Sequence, residues 1–162
     1  MKLLVIDIQK GITDSRLFNF EAFIDDTIRI IKAARDNQIE VIYFQHDDGP
    51  GTGFSIGVED FEIAEQVIPR EGEKIFIKNI NSCFGNKDFT DYVKDDNTLM
   101  IVGLQTNFCI DATVKSAFER GYKVIVPQGA NSTFDNDYMT GEETYKYYND
   151  MMWPKRFATC VS

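Results

Sequence analysis

Short, continuously apolar runs alternate along this chain with longer segments in which apolar residues recur at helical spacing. The runs LLVIDI and TLMIVGL contain few polar residues, a pattern typical of strands that are covered on both faces. The strand-like segments are residues 3–8, 40–45, 74–78, 98–104, 122–127 and a short last one near 157–161. The sequence therefore predicts a sheet of about six strands.

The segments between these runs carry helical signals. Residues 106–121 begin with a Thr or Asn cap, have Asp111 in the first turn and end at Gly121. Shorter helices are predicted over 61–68, 89–95 and 141–152, and a loop over 47–53, where Gly and Pro disfavour a helix. Residues 21–37 form a further helix whose predicted buried stripe is Phe23, Ile24, Thr27, Ile28, Ile31 and Ala34.

Alternating strands and helices predict an α/β fold. We expect a three-layer α/β/α domain with a mainly parallel, doubly wound (Rossmann-like) sheet. No repeat, low-complexity tract or linker interrupts the 162 residues, so the sequence predicts a single domain over residues 1–162.

Composition narrows the possible partners. The net charge of −9 argues against binding to nucleic acid or to an anionic membrane surface. No apolar run is long enough for a transmembrane helix, and the first apolar run ends at Asp7 without a signal-peptide cleavage site. We therefore expect a cytoplasmic protein whose three cysteines are reduced thiols, because their number and spacing fit no disulfide framework.

Three residues with ionisable side chains follow or end predicted strands. Asp7 closes the first apolar run, Lys78 closes KIFIK, and Cys109 opens the helix after TLMIVGL. Because ligands bind at the carboxyl ends of parallel strands, the three side chains are expected at one edge of the sheet.

Each of the three also has an ordinary interpretation. Cys109 could be a buried structural cysteine, but a helix N-terminus lowers the pKa of a thiol, so we expect Cys109 to react before Cys83 and Cys160. Asp7 could cap a turn, pair with an arginine or accept phosphate, although the second aspartate of such phosphatases is absent. Lys78 by itself would be a solvated lysine at a strand end.

Together the three residues suit thiol chemistry on a carbonyl. The lysine charge favours a thiolate, and the carboxylate can take the thiol proton and pass it to a leaving amine. A histidine base is not expected, since His46 is the only histidine in the chain.

Four segments, in this order, resemble the motifs of isochorismatase-like cysteine hydrolases: LLVIDIQKG, IKNINSCF, GLQTNFCIDATVKSAFERGYKVIVP and GANS. That superfamily includes nicotinamidases and carbamoylsarcosine amidohydrolases. Any one segment is weakly specific, whereas the ordered set, which covers nearly the whole chain, is strongly specific. The resemblance implies that Asp7 is the general base, Lys78 the triad lysine and Cys109 the nucleophile. It also implies a non-proline cis peptide between Leu104 and Gln105, and an oxyanion hole formed by the backbone N–H groups of Gln105 and Cys109.

The sequence departs from the nicotinamidase pattern in its metal ligands. Those relatives bind a metal through an aspartate and two or more histidines, and this chain has one histidine. We therefore expect no metal and no other cofactor. The loop QHDDGPGTGF resembles the substrate-side loop of metal-free members, and His46, Phe54 and Phe84 are the candidates for substrate binding, although ordinary packing would explain each of them equally well.

The resulting prediction is a hydrolase that cleaves a C–N amide-type bond of a small-molecule substrate through a thioester acyl-enzyme. Cys109 favours this activity over vinyl-ether hydrolysis, because isochorismatases of that type generally lack the cysteine. The alternatives are hydrolysis of another bond, or a non-catalytic α/β domain that binds a small ligand or a protein partner. We also expect a homo-oligomer.

Overall fold

In the computed structural model, which describes residues 1–162, a seven-stranded parallel sheet runs through the centre of the molecule. The strand order is β3-β2-β1-β4-β5-β7, and the short β6 pairs with the end of β4. The strands are β1 (Lys2–Ile6), β2 (Glu40–His46), β3 (Lys74–Lys78), β4 (Thr98–Leu104), β5 (Lys123–Pro127), β6 (Asn131–Ser132) and β7 (Thr159–Val161). The predicted α/β class and parallel sheet are confirmed.

Helices cover both faces of the sheet. They are α1 (Phe20–Asp36), α2 (Lys87–Tyr92), α3 (Asp111–Glu119) and α4 (Gly141–Lys146), with π-helical turns at Thr106–Ile110 and Tyr147–Met152. A capping box between Thr140 and Glu143 fixes the start of α4. No helix is both long and apolar enough to cross a membrane.

The central strands are buried because alternate side chains enter two separate cores. Leu4 and Ile6 of β1 pack on one face, and Leu3 and Val5 on the other. Trp153, which is fully buried, closes the first core, and α1 covers the second. The continuous apolar pattern of these strands thus follows from burial on both faces.

Several predicted boundaries need correction. The segment 61–68 is not a helix: it forms two short 3₁₀ turns, because Ile63 bridges to Gln9 and the Ala64 N–H donates to the Ile8 carbonyl. The predicted helices over 106–121 and 141–152 are each divided between an α-helix and a π-helical turn. On α1, Ile28 lies outside the buried stripe and is 40% exposed.

The close approach of β4 to β1 requires a glycine. Gly103 has a φ of +127°, and a Cβ atom there would overlap the carbonyl oxygen of Ile6. This contact brings the end of β4 against the end of β1, where Asp7 follows. Residues that follow β1, β3 and β4, together with His46 at the end of β2, then line one cavity.

Candidate active site

The three residues identified from the sequence meet at the carboxyl edge of the sheet. Asp7 follows β1 in a left-handed conformation with φ 53°, Lys78 ends β3, and Cys109 lies in the π-helical turn after β4. The Lys78 Nζ atom is 2.8 Å from Asp7 Oδ2 and 3.3 Å from Cys109 Sγ. The fold therefore brings together a carboxylate, an ammonium and a thiol from three separate strands.

Lys78 contacts every other polar side chain of this cluster. Its side chain is 0% exposed, and besides Asp7 and Cys109 the Nζ atom contacts His46 Nδ1 at 3.0 Å and the Ile80 carbonyl at 3.3 Å. Burial lowers the pKa of Lys78, but the Asp7 carboxylate and the two neighbouring cysteines together offset this, so the pKa is raised. Lys78 is thus an ammonium with its donors directed into the cluster.

Asp7 retains an unused acceptor. The residue is buried, and its Oδ1 atom has no hydrogen-bond partner. Burial raises the pKa of Asp7, while the Lys78 ammonium acts in the opposite direction. A desolvated carboxylate with a free oxygen is a stronger base than a solvated aspartate, which suits it to take a proton.

The thiol of Cys109 differs from the prediction. Burial raises the pKa of Cys109 to about 12, and the Asp7 carboxylate adds to this effect while Lys78 opposes it. The prediction that the helix start lowers the pKa of this thiol is therefore wrong, because desolvation is the largest influence on the thiol and the neighbouring carboxylate acts in the same direction. The thiol is protonated at rest, and its proton must be removed when it attacks. Burial also raises the pKa of Cys160 to about 11 and that of the fully buried Cys83.

The peptide between Leu104 and Gln105 is cis, as the resemblance implied. Gln105 lies between β4 and the π-helical turn, and its backbone N–H donates to no group of the protein. Its side-chain Oε1 accepts from the Thr133 hydroxyl at 3.0 Å, which fixes the residue to the segment after β6. Gln105 and Cys109 both line the cavity, as an oxyanion hole requires.

The cavity above Cys109 has a volume of about 300 Å³ and accommodates a small molecule. Nine residues line it: Asp7, Ile12, His46, Asp48, Phe54, Asn81, Gln105, Phe108 and Cys109. His46 and Phe54 are thus at the positions expected of substrate-binding residues. Sequence reasoning missed Ile12, Asp48, Asn81 and Phe108. Of these, Asn81 could have been found from the sequence, because it follows the predicted strand that ends at Lys78. Its Oδ1 is 3.7 Å from Cys109 Sγ.

Phe84 requires a correction, since it does not line the cavity. A 3₁₀ turn at Cys83–Gly85, capped by the Ser82 side chain, directs Phe84 into the core. There its ring packs against Phe89 and Tyr122, at centroid distances of 5.2 and 5.7 Å. Phe84 is a packing residue.

A metal is not needed to hold this cluster together. Asp7, His46 and Cys109 place potential ligand atoms within 4.8 Å of one another. The Lys78 ammonium, however, already contacts all three residues, at 2.8 to 3.3 Å. A metal bound to the three residues would need the ligand atoms that the ammonium already contacts, and its positive charge would repel the ammonium.

Comparison with known proteins agrees with this geometry. The sequence model of the Isochorismatase domain matches residues 2–158. The uncharacterised isochorismatase family protein YddQ of Bacillus subtilis is 31% identical over 138 residues, which cover 81% of this chain and 77% of YddQ. Streptothricin hydrolase of Streptomyces noursei is 26% identical over 142 residues, covering 82% of this chain and 54% of that protein.

The fold is also similar to solved structures. A crystal structure of an isochorismatase family protein superposes with a TM-score of 0.89 at 27% identity. The superposition covers 99% of this chain and 97% of the other. The sheet and the helices on both of its faces are therefore shared along the full length of the domain.

Proposed function

This chain belongs to the isochorismatase family of hydrolases, and we propose that it cleaves a C–N amide-type bond of a small molecule through a thioester acyl-enzyme. Asp7, Lys78 and Cys109 are the proposed catalytic residues. The observation that carries the proposal is the buried, unpartnered Oδ1 of Asp7 beside a protonated thiol, with the Lys78 ammonium in contact with both residues.

In the proposed first half-reaction, Asp7 Oδ1 takes the thiol proton as Cys109 Sγ attacks the carbonyl carbon. The Lys78 ammonium stabilises the developing thiolate. The backbone N–H groups of Gln105 and Cys109 would donate to the oxyanion of the tetrahedral intermediate. Protonated Asp7 then gives its proton to the leaving nitrogen, the C–N bond breaks, and a thioester remains on Cys109.

In the second half-reaction, Asp7 is again a carboxylate and removes a proton from water. The hydroxide attacks the thioester carbonyl, the C–S bond breaks, and the acid leaves while Cys109 recovers its proton. No cofactor takes part in this cycle. The name of the Streptomyces relative, a streptothricin hydrolase, is consistent with hydrolysis of a small molecule.

The test is a panel of small amides and ureides, with release of ammonia or amine as the readout and mass spectrometry of quenched enzyme to detect the thioester. We expect acyl adducts on Cys109, and no turnover by Cys109→Ala. Cys160→Ala is the matched control, since Cys160 lies in β7 and does not line the cavity.

Turnover of an amide by Cys109→Ala would exclude the thioester route and require direct attack of water on the amide carbonyl. If no member of the panel reacts and no adduct forms, the amidase proposal fails, and the alternatives are hydrolysis of another bond or ligand binding without catalysis.

A further inference from the structure

The cavity above Cys109 has a charge pattern that the proposed reaction uses only in part, since the reaction assigns a role to Asp7 and none to Asp48. Its lining carries two carboxylates, those of Asp7 and Asp48, and no lysine or arginine. The nearby Lys78 is fully buried, and its ammonium is directed at protein groups. A carboxylate or phosphate on a substrate would therefore meet negative charge and find no free cation.

Asp48 is held at this cavity in a defined way. Its Oδ1 lies 2.9 Å from His46 Nε2, and its side chain is 53% exposed. Because the Lys78 ammonium donates to His46 Nδ1 at 3.0 Å, Nδ1 is the acceptor and Nε2 carries the hydrogen that is donated to Asp48. One oxygen of Asp48 is thus fixed by an imidazole, and no donor of the protein reaches the other.

Two aromatic side chains line the same cavity as the Asp48 carboxylate. They are Phe54 and Phe108, and Phe108 is 52% exposed. Aromatic faces attract ammonium and guanidinium groups. The net charge of −9 also raises the local concentration of cations around the molecule.

We propose that the substrate carries an ammonium or guanidinium group within a few bonds of its scissile carbonyl, and that Asp48 is the residue that recognises it. One imidazole ring separates Asp48 from the Lys78 ammonium, which itself contacts Cys109. A ring nitrogen of His46 lies within 4.8 Å of Cys109 Sγ, and Nε2 of the same ring is 2.9 Å from Asp48 Oδ1, so one imidazole ring separates the proposed cation site from the reacting sulfur. The inference of a scissile carbonyl rests on the proposed function, whereas recognition of the cation does not.

The first test needs no hydrolysis. Two methanethiosulfonate reagents are used, one with a trimethylammonium and one with a sulfonate group. Each transfers its charged ethylthio group to Cys109, which forms a disulfide and releases methanesulfinate. Rates are measured in a Cys160→Ser background and normalised to those of a small free thiol. Asp48→Asn is the variant, because asparagine can still accept from His46 but lacks the charge. Asp95→Asn, an exposed aspartate before the opposite end of β4, is the control for overall charge.

We expect the cationic reagent to react at least ~5-fold faster than the anionic one, the size of effect that a charge a few ångströms away has in partly solvated surroundings. Asp48→Asn should remove most of this preference, and Asp95→Asn should leave it unchanged. The proposal is overturned if the cationic and anionic reagents react at similar rates with the parent protein. It is also overturned if Asp48→Asn shows the same rate ratio as the parent.

The second test uses three amides of similar length: 4-aminobutanamide, pentanamide and succinamate. We expect kcat/KM to fall in that order, and Asp48→Asn to abolish the advantage of the cationic amide. Equal or reversed preference would overturn the proposal. If none of the three is cleaved while the reagent ratios behave as expected, the proposed amidase activity fails and cation recognition stands.

Discussion

Replacing Asp7 with asparagine should change the reactivity of Cys109 and the turnover of the enzyme in opposite directions. Two influences raise the pKa of Cys109: burial, which is the larger, and the Asp7 carboxylate. Asparagine keeps the size and shape of the side chain and can still accept from Lys78, but it has no charge and cannot take a proton. The substitution therefore separates the availability of the thiolate from general-base catalysis.

The size of the first effect follows from the geometry. A carboxylate oxygen of Asp7 lies within 4.8 Å of Cys109 Sγ. Two negative charges at that separation repel by ~3 kcal/mol at an effective dielectric constant of about 20. Removing the carboxylate should then raise the thiolate population at neutral pH by up to ~100-fold. Turnover should nevertheless fall by ~10²- to 10⁴-fold, the usual contribution of a general base.

The assay is the rate of iodoacetamide labelling of Cys109 from pH 6 to 10, located by peptide mapping, together with turnover on any amide that the enzyme cleaves. In the parent protein, labelling should rise about tenfold for each pH unit without a plateau, since the pKa of the thiol is about 12. Asp7→Asn should label faster at every pH below that value, and Asp95→Asn should match the parent. Slower labelling of Asp7→Asn would refute the reasoning, because the carboxylate would then be promoting the thiolate. Turnover near the parent rate would exclude Asp7 as the base.

Four further outcomes are expected. Phe84→Ala should destabilise the fold by ~3–5 kcal/mol in chemical denaturation, because it empties an aromatic core site. Kinetic assays of the same variant should give an unchanged KM. Phe54→Ala should instead raise KM with little change in stability, and the opposite pattern for the two variants would contradict the cavity boundaries. Gly103→Ala should cost ~1–3 kcal/mol or more through strain at a positive φ and overlap with Ile6, and a melting temperature equal to that of the parent would contradict this. Treatment with EDTA should change neither turnover nor melting temperature, and loss of a stoichiometric metal together with activity would mean that Lys78 is not the cation of the cluster.

The sequence by itself determined the α/β fold and which residues form the cluster of Asp7, Lys78 and Cys109. Strands β3 and β4 match their predicted bounds. For β4 the reason is burial on both faces, which leaves a continuous apolar pattern. Asp7, Lys78 and Cys109 could be placed together before any coordinates were known. Parallel strands bring their carboxyl ends to one edge, so residues that follow different strands become neighbours.

The tertiary structure alone decided how these residues behave and which others surround them. The helix start suggested a low thiol pKa, whereas the pKa of Cys109 is raised by burial and by Asp7, a residue more than a hundred positions away in sequence. Phe84 was wrongly assigned to the substrate site and Asp48 was missed for a related reason, because a short turn directs Phe84 into the core and a loop directs Asp48 to the cavity. Local pattern reports which face of an element is buried, but desolvation and charge–charge distance depend on what the rest of the chain packs against it.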